Sequence, residues 1–275
     1  MSQYEILAVR YATNPRVGHE NFLFRDAGVE DLHDVPMPID YFVWVLRSPE
    51  RIVLVDTGFT EAAARARGRT LLIDPVRALR LMGIGPEAIA DVIVTHLHYD
   101  HAGNLSAFPN ARFHLQDGEM AFATGRCMCH QRMRAPFDVE DIVTMVRRVH
   151  DGRVVFTDGD ADLFPGISVH RAPGHTDGLQ CVRVSTARGD VVLASDAAHL
   201  YANMDRANPY PIISNLGQAF ESWRRLHALA ASPDHVIPGH DPEVLRLYPR
   251  LPVPGVEVAQ LHLPPLARRQ GTIRP

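Results

Sequence analysis

The 275-residue chain contains no lysine: all 28 of its basic residues are arginines, set against 32 acidic residues for a formal net charge of −4. Schiff-base chemistry, pyridoxal-phosphate attachment and Walker-type phosphate cradles all need a lysine amine, so the absence excludes them together. Cysteine is scarce as well, and Cys127, Cys129 and Cys181 cannot form an even disulfide framework. No stretch reaches the ~18 uncharged apolar residues that a bilayer span needs. Met1 to Arg10 lack the basic start and apolar run of a secretion signal, so a cytoplasmic location is expected, with no membrane partner. The mildly acidic balance argues against a nucleic-acid partner, because a phosphate backbone demands clustered cations. What the chain does have is histidine, 15 residues of it. Imidazole is the commonest metal ligand and the side chain that titrates nearest neutral pH.

At 46% hydrophobic and 22% charged, the composition is that of an ordinary globular protein long enough to bury a large core. Short valine- and isoleucine-rich runs bounded by Gly, Asp or Pro read as strands: Tyr41–Leu46, Ile52–Val55, Val92–Val94, Val154–Phe156, Ile167–His170, Val182–Val184 and Val191–Ala194. Helical periodicity marks Pro75–Met82, with proline in the first turn and Gly83 as C-cap, then Val139–Val149 and Gln218–Ala231. In the last of these Phe220, Trp223, Leu226, Leu229 and Ala230 share one face, opposite Glu221, Arg224 and Arg225. Strands interleaved with helices predict an α/β or layered α+β domain. A single domain over 1–275 is expected, with a proline-rich extension at about 249–275 lying extended over the body or fraying. A homodimer is the base-rate expectation for its assembly.

The chemistry concentrates in V-I-V-T-H-L-H-Y-D-H-A-G-N, Val92 to Asn104, where His96, His98, Asp100 and His101 fall within six positions after a β-rich run. In an extended loop His96 and His98 point the same way, because side chains alternate with period two. Asp100 and His101 can then face a second position as the chain turns into a helix. That spacing suits two adjacent metal ions better than one, and a solvated polar loop explains it poorly. Nitrogen and carboxylate ligands without thiolate favour Zn²⁺, with Mn²⁺, Fe²⁺ or Co²⁺ as alternatives. Three further segments each end a strand in a turn bearing a candidate ligand: H-R-A-P-G-H-T-D-G with His175, V-V-L-A-S-D-A-A-H with Asp196, and H-V-I-P-G-H-D with His240. Each is weak alone; a lone Pro-Gly-His is often a structural turn. Together they reinforce one another. V-L-V-D-T-G sets Asp56 at another strand end, where it can orient a ligand from behind.

The H-x-H-x-D-H cluster followed by isolated His, Asp and His resembles the metallo-β-lactamase superfamily over Tyr41 to His240. The resemblance implies an αββα sandwich with a dinuclear site at one edge. It implies that His96, His98 and His175 hold one metal, that Asp100, His101 and His240 hold the other, and that Asp196 bridges them. Aspartate rather than cysteine at the bridge resembles the lactonase, glyoxalase-II and phosphodiesterase branches more than the β-lactamases. M-P-I-D-Y-F-V-W-V-L, D-T-G, S-D-A-A-H-L-Y and the final P-G-H-D are most similar to N-acyl homoserine lactonases, some of which act in quorum quenching. Members of that branch carry a substrate-contacting tyrosine three positions after the bridging aspartate. Here that position is His199, and a tyrosine follows at Tyr201.

The activity this implies is hydrolysis of a lactone, a small-molecule cyclic ester, by a metal-bridging hydroxide, since metal binding lowers the pKa of water from ~15.7 to roughly 7. Asp100 is the expected proton shuttle, with His199 or Tyr201 as candidate donor to the substrate. A glyoxalase-II-type thioesterase and a non-catalytic metal-binding protein on the same fold are the alternatives. A mononuclear oxygenase, with its two-histidine, one-carboxylate set, explains fewer of these residues. The pocket walls are expected from 33–41, 120–137 and 201–213. Cys127, Cys129 and His130 read as a surface or pocket-edge loop, and His114, His170, His227 and His262 as structural or exposed histidines.

Overall fold

The computed structural model describes residues 3–25 and 33–267. In chain order its strands are β1 (Glu5–Asn14), β2 (Ile39–Arg47), β3 (Ile52–Val55), β4 (Thr70–Leu71), β5 (Asp91–Ile93), β6 (Arg112–Gln116), β7 (Val154–Thr157), β8 (Ala161–Phe164), β9 (Ile167–Arg171), β10 (Gln180–Thr186), β11 (Gly189–Ser195), β12 (Val236–Pro238), β13 (Arg250–Val253) and β14 (Val256–Gln260). One sheet runs β13-β14-β1-β2-β3-β5-β6-β7, with β4 paired to β1; the other runs β12-β11-β10-β9-β8.

Period-two alternation splits these strands among three cores. Ile6, Phe42, Trp44, Val53 and Val55 of the first sheet meet Val169, Val182, Val184, Val191 and Leu193 of the second, which is the layer between the sheets. The alternate residues Leu7, Val9, Val43, Val45, Leu54 and Val92 face outward and are covered by Ala78, Leu79, Phe122 and Met145 from helices Pro75–Leu81, Asp117–Thr124 and Val139–His150. On the far side Cys181, Val192 and Ala194 pack under Trp223 and Leu226 of helix Leu216–Leu229. Two sheets face to face with helices outside both make the αββα sandwich.

The predicted helices form within two residues of the expected bounds, each opened by a side-chain cap: Asp74 accepts from the Arg77 amide, Asp138 from Glu140 and Asn215 from Gln218. Two regions differ from expectation. Strand β1 gives no polar–apolar alternation because both its faces are buried, and it pairs with β2, β4 and β14. The stretch after Pro249, read as lacking regular structure, builds the β13–β14 hairpin, and β14 joins β1 in register from Leu7↔Gln260 to Arg10↔Glu257. Its prolines are tolerated because β13 is the sheet edge, where an amide can go unpaired. Among the described residues no helix is long and apolar enough to cross a membrane.

Candidate metal centre

Parallel pairing decides where the site forms. β3 and β5 are parallel, as are β11 and β12, so the turns leaving their C-terminal ends gather at one edge of the sandwich. Asp56 follows β3, His96 and His98 follow β5, Asp196 and His199 follow β11, and His240 follows β12; His175 sits in the β9–β10 connection. The two sheets are tied at this edge by Thr95 Oγ1 to Ser195 Oγ at 2.8 Å and by the Gln180 amide donating to the Thr95 carbonyl at 3.0 Å. Asp56 and Ser195 both hold positive φ, 61° and 48°, a strained backbone of the kind that gathers at functional sites.

His98 caps a short helix, Tyr99–Ala102, which rotates Asp100 and His101 away from His96 and His98 as the spacing predicts. The result is two groups of four: His96, His98, His175 and Asp196, and Asp100, His101, Asp196 and His240, with the donor atoms of each group within 4.8 Å of one another. Asp196 serves both. Its Oδ2 lies 3.3 Å from His175 Nε2 and 3.8 Å from His96 Nε2, while its Oδ1 lies 3.2 Å from His101 Nε2 and 2.9 Å from His240 Nε2. Asp100 Oδ2 completes the second group at 3.6 Å from His101 Nε2 and 3.7 Å from His240 Nε2. A tetrahedral shell with ligands at about 2.1 Å has edges near ~3.4 Å, which is the spacing these atoms already keep.

Hydrogen bonds from behind fix which ring nitrogen faces inward. His101 Nδ1 bonds Asp56 Oδ2 at 2.7 Å, His175 Nδ1 donates to the Ile212 carbonyl at 2.7 Å, and His240 Nδ1 donates to the Asp40 carbonyl at 2.8 Å. Each points Nε2 toward the centre, the orientation metal-binding histidines use. Asp56 is itself held by the Thr95 amide at 2.7 Å and the Thr95 hydroxyl at 2.8 Å. His96 Nε2, His101 Nε2 and Asp196 Oδ1 are buried and have no hydrogen-bond partner among the described residues, a costly state unless something else binds them. Burial, with neighbouring histidines, drives His96 and His98 well below the usual imidazole range, and burial takes His175 down to about 3, so all three are neutral lone-pair donors. Burial alone would raise Asp196, but His199, His240 and His101 hold its carboxyl well below the usual carboxylate range. The donor set therefore fits two divalent ions.

The two Pro-Gly-His turns have a steric reason. A Cβ at Gly239 would fall 2.8 Å from the Ser195 backbone and 2.9 Å from Asp196 Oδ1. Gly174 has φ +134°, and a Cβ there would lie 2.5 Å from the Ala219 backbone. Both turns press against neighbouring backbone, and only glycine permits that approach. Glu119, fully buried, ties the ligand loops from below: it accepts from the Leu97 amide at 2.9 Å and the Thr176 hydroxyl at 2.6 Å.

The cavity over this centre, about 260 Å³, is lined by His98, Asp100, His175, Asp196, His199 and His240, and beyond them by Tyr41, Tyr99, Tyr210, Arg67, Arg69 and Arg132. His199 Nε2 lies 3.0 Å from Asp196 Oδ2, and its ring stacks on Tyr210 at 3.9 Å and 9°. Tyr201 is elsewhere. Helix Tyr201–Asp205 turns it into the layer between the sheets, where it lines a larger cavity of about 690 Å³ with Pro36, Met37, Leu247 and Asp241. That larger cavity contains neither group of metal-ligating residues. Each expected pocket segment sends residues to the smaller cavity, through Ile39 and Tyr41, Arg132 and Pro136, and Tyr210 and Ile212. Arg67 and Arg69 come from a segment with no sequence signal. Cys127 and Cys129 lie outside both metal groups, and Phe220 and Trp223 pack in the core. His114 pairs with Asp91 at 2.9 Å, a structural role.

The family described as the metallo-beta-lactamase superfamily matches residues 38–247. An N-acyl homoserine lactonase from Bacillus sp is 27% identical over 223 residues, covering 74% of this chain and 83% of the relative. N-acyl homoserine lactonase AiiB of Agrobacterium fabrum is 26% identical over 189 residues, covering 62% and 66%. Among solved structures, a quorum-quenching N-acyl homoserine lactone lactonase superposes with a TM-score of 0.71 at 23% identity, over 88% of this chain and 94% of that one. A hydrolase of the β-lactamase superfamily, AbOPH, superposes with a TM-score of 0.72 at 19% identity, over 98% and 99%. With the matched region covering most of the chain and all seven candidate ligands, the chain belongs to the metallo-β-lactamase superfamily.

Proposed function

We propose that this protein is a dinuclear-metal hydrolase that opens a lactone. The observation that carries the reading is Asp196, whose two carboxylate oxygens are divided between two histidine groups. On this reading His96, His98 and His175 hold one ion and Asp100, His101 and His240 the other, with Zn²⁺ the best match to nitrogen and carboxylate donors. When bound, such ions supply Lewis-acid polarisation of a carbonyl and a water deprotonated near neutral pH. The relatives named N-acyl homoserine lactonase support the substrate class.

The chain's own residues supply the rest. Asp100 lines the cavity and lies against His101 and His240, so it can take the proton from the attacking water and return it to the leaving alkoxide. The carbonyl carbon gains the water oxygen, the ring C–O bond breaks, and that proton ends on the new hydroxyl. His199, held flat against Tyr210, is a cavity-wall side chain able to donate to the carbonyl oxygen, a role that the placement of Tyr201 does not offer. Protein with two zinc equivalents should open lactones, and His98→Ala should abolish turnover. A fully metal-loaded sample inactive on a broad lactone panel would overturn the reading.

A thioesterase is the second reading, favoured by the three arginines at the cavity, since cationic walls suit charged thioesters. Turnover of thioesters against lactones on one sample separates the two. Arg268 and Arg269, the late arginines that bear on a glyoxalase-II comparison, lie outside the described residues.

A further inference from the structure

We infer that the substrate carries an oxyanion of its own, separate from the ester that reacts, and that Arg69, supported by Arg67 and Arg132, receives it. The inference rests on the hydrolase reading for the reacting bond and adds the class of substrate. Arg69 is partly buried at the cavity wall and donates Nε to the Tyr99 hydroxyl at 3.1 Å. Among the described residues its terminal nitrogens have no protein acceptor, and no carboxylate lies within 4.0 Å of Arg67, Arg69 or Arg132. Asp141 is near enough to feel Arg67 without pairing with it. Elsewhere in the molecule Arg10, Arg51 and Arg183 are matched by Asp40, Asp91 and Asp190, while Arg171 and Arg188 spend their guanidinium N–H groups on the Asp177 and Leu261 carbonyls and the Tyr248 hydroxyl. A sheltered guanidinium without a counter-charge is costly unless a ligand brings one.

The group is also held in place. Arg67 donates to the Ala135 carbonyl at 2.8 Å and the Phe137 carbonyl at 3.0 Å, and its Cζ sits 4.0 Å from the Tyr99 ring centroid. Tyr99 stacks on Phe59 at 5.5 Å and meets the Tyr41 hydroxyl at 3.5 Å; Tyr41 in turn packs edge-on against His240 at 5.1 Å. A rigid aromatic chain thus joins the metal group to the arginines, and Phe137, the carbonyl partner of Arg67, packs on His98 at 4.5 Å. Arginine's planar fork fits carboxylate and phosphate alike. A cavity of about 260 Å³ suits a compact charged molecule better than a long acyl chain.

The test compares zinc-loaded protein on three lactones of one ring size: uncharged, carboxylate-bearing and phosphate-bearing. The carboxylate or the phosphate form should exceed the uncharged one by about tenfold or more in kcat/KM, mostly through KM, as expected for charge-assisted hydrogen bonds. Whichever anion gains more identifies its source. In Arg69→Gln that selectivity ratio should collapse toward one, and in the exposed Arg132→Gln, which the fold tolerates, it should fall partway. Equal rates for charged and uncharged lactones, or a ratio untouched by Arg69→Gln at full zinc content, would overturn the inference. If no lactone opens, calorimetry of glutarate against butyrate decides. A glutarate preference lost in Arg69→Gln supports the anion site while the lactone reading fails; no preference overturns the anion site itself.

Discussion

At the floor of the cavity seven side chains converge from separate loops, none more than 8% exposed, and three of them, His101, His175 and His240, have a hydrogen-bonded partner behind them. At the rim, Arg67 and Arg69 are half-buried, Arg132 is exposed, and their supports are carbonyls, a hydroxyl and aromatic faces. The floor gathers buried donors that suit cations; the rim gathers positive charge with no carboxylate beside it among the described residues. Rigid, over-determined geometry belongs where ions are held, and looser, one-sided charge belongs where a substrate is chosen.

The sharpest way to break this contrast is to remove the residue common to both metal groups. Asp196→Ala should lose at least about a thousandfold in kcat/KM together with most bound metal, because it deletes a ligand from each group. Elemental analysis beside the assay checks both; an active variant holding two metals would make the floor less interdependent than its geometry shows. Gly239→Ala comes next. Its Cβ would intrude on Ser195 and Asp196, and we expect a loss of about 3 kcal/mol in unfolding free energy, read by denaturant titration.

Glu119 tests whether the floor is rigid from below. Burial raises its carboxyl from 4.5 to about 7, against the hydrogen bonds from Thr176, Leu97 and Gly178. The folded form thus holds its proton more tightly than the unfolded chain. Its contribution is complete below pH 4.5, declines as pH rises and levels off above about 7. That span corresponds to about 3 kcal/mol of pH-dependent stability, which Glu119→Gln should lack. Parallel stability–pH curves for the two proteins would contradict this. The smallest effect is expected where floor meets rim: His199→Phe keeps the stack on Tyr210 and should keep two metals, yet lower kcat by about ten- to a hundredfold. Metal loss in that variant would move His199 to the floor.

The same contrast separates what the sequence reveals from what it conceals. His96 to His101 is readable because the ligands are packed into one turn; Asp196 and His240 carry over directly because the parallel pairing of β11 and β12 gathers their ends, and His175 joins them from the antiparallel β9–β10 turn. Strand β1 hides because burial on both faces erases alternation, and the β13–β14 hairpin hides among prolines that only an edge strand tolerates. Tyr201 stands two residues from His199 in sequence, but one helical turn swings it into the layer between the sheets. Tyr210 returns to the site only after that helix ends. Arg67 and Arg69 lie beside a C-capping glycine in an unremarkable polar stretch; their meaning comes from Tyr99 and from the Ala135 and Phe137 carbonyls, contacts far along the chain.

Zinc titration of chelated protein bears most directly on the dinuclear lactonase. Binding should saturate at two equivalents per chain, with lactone opening following occupancy of both sites and Asp196→Ala unable to reach that endpoint. Saturation at one equivalent with full activity, or turnover by the metal-free protein, would contradict it.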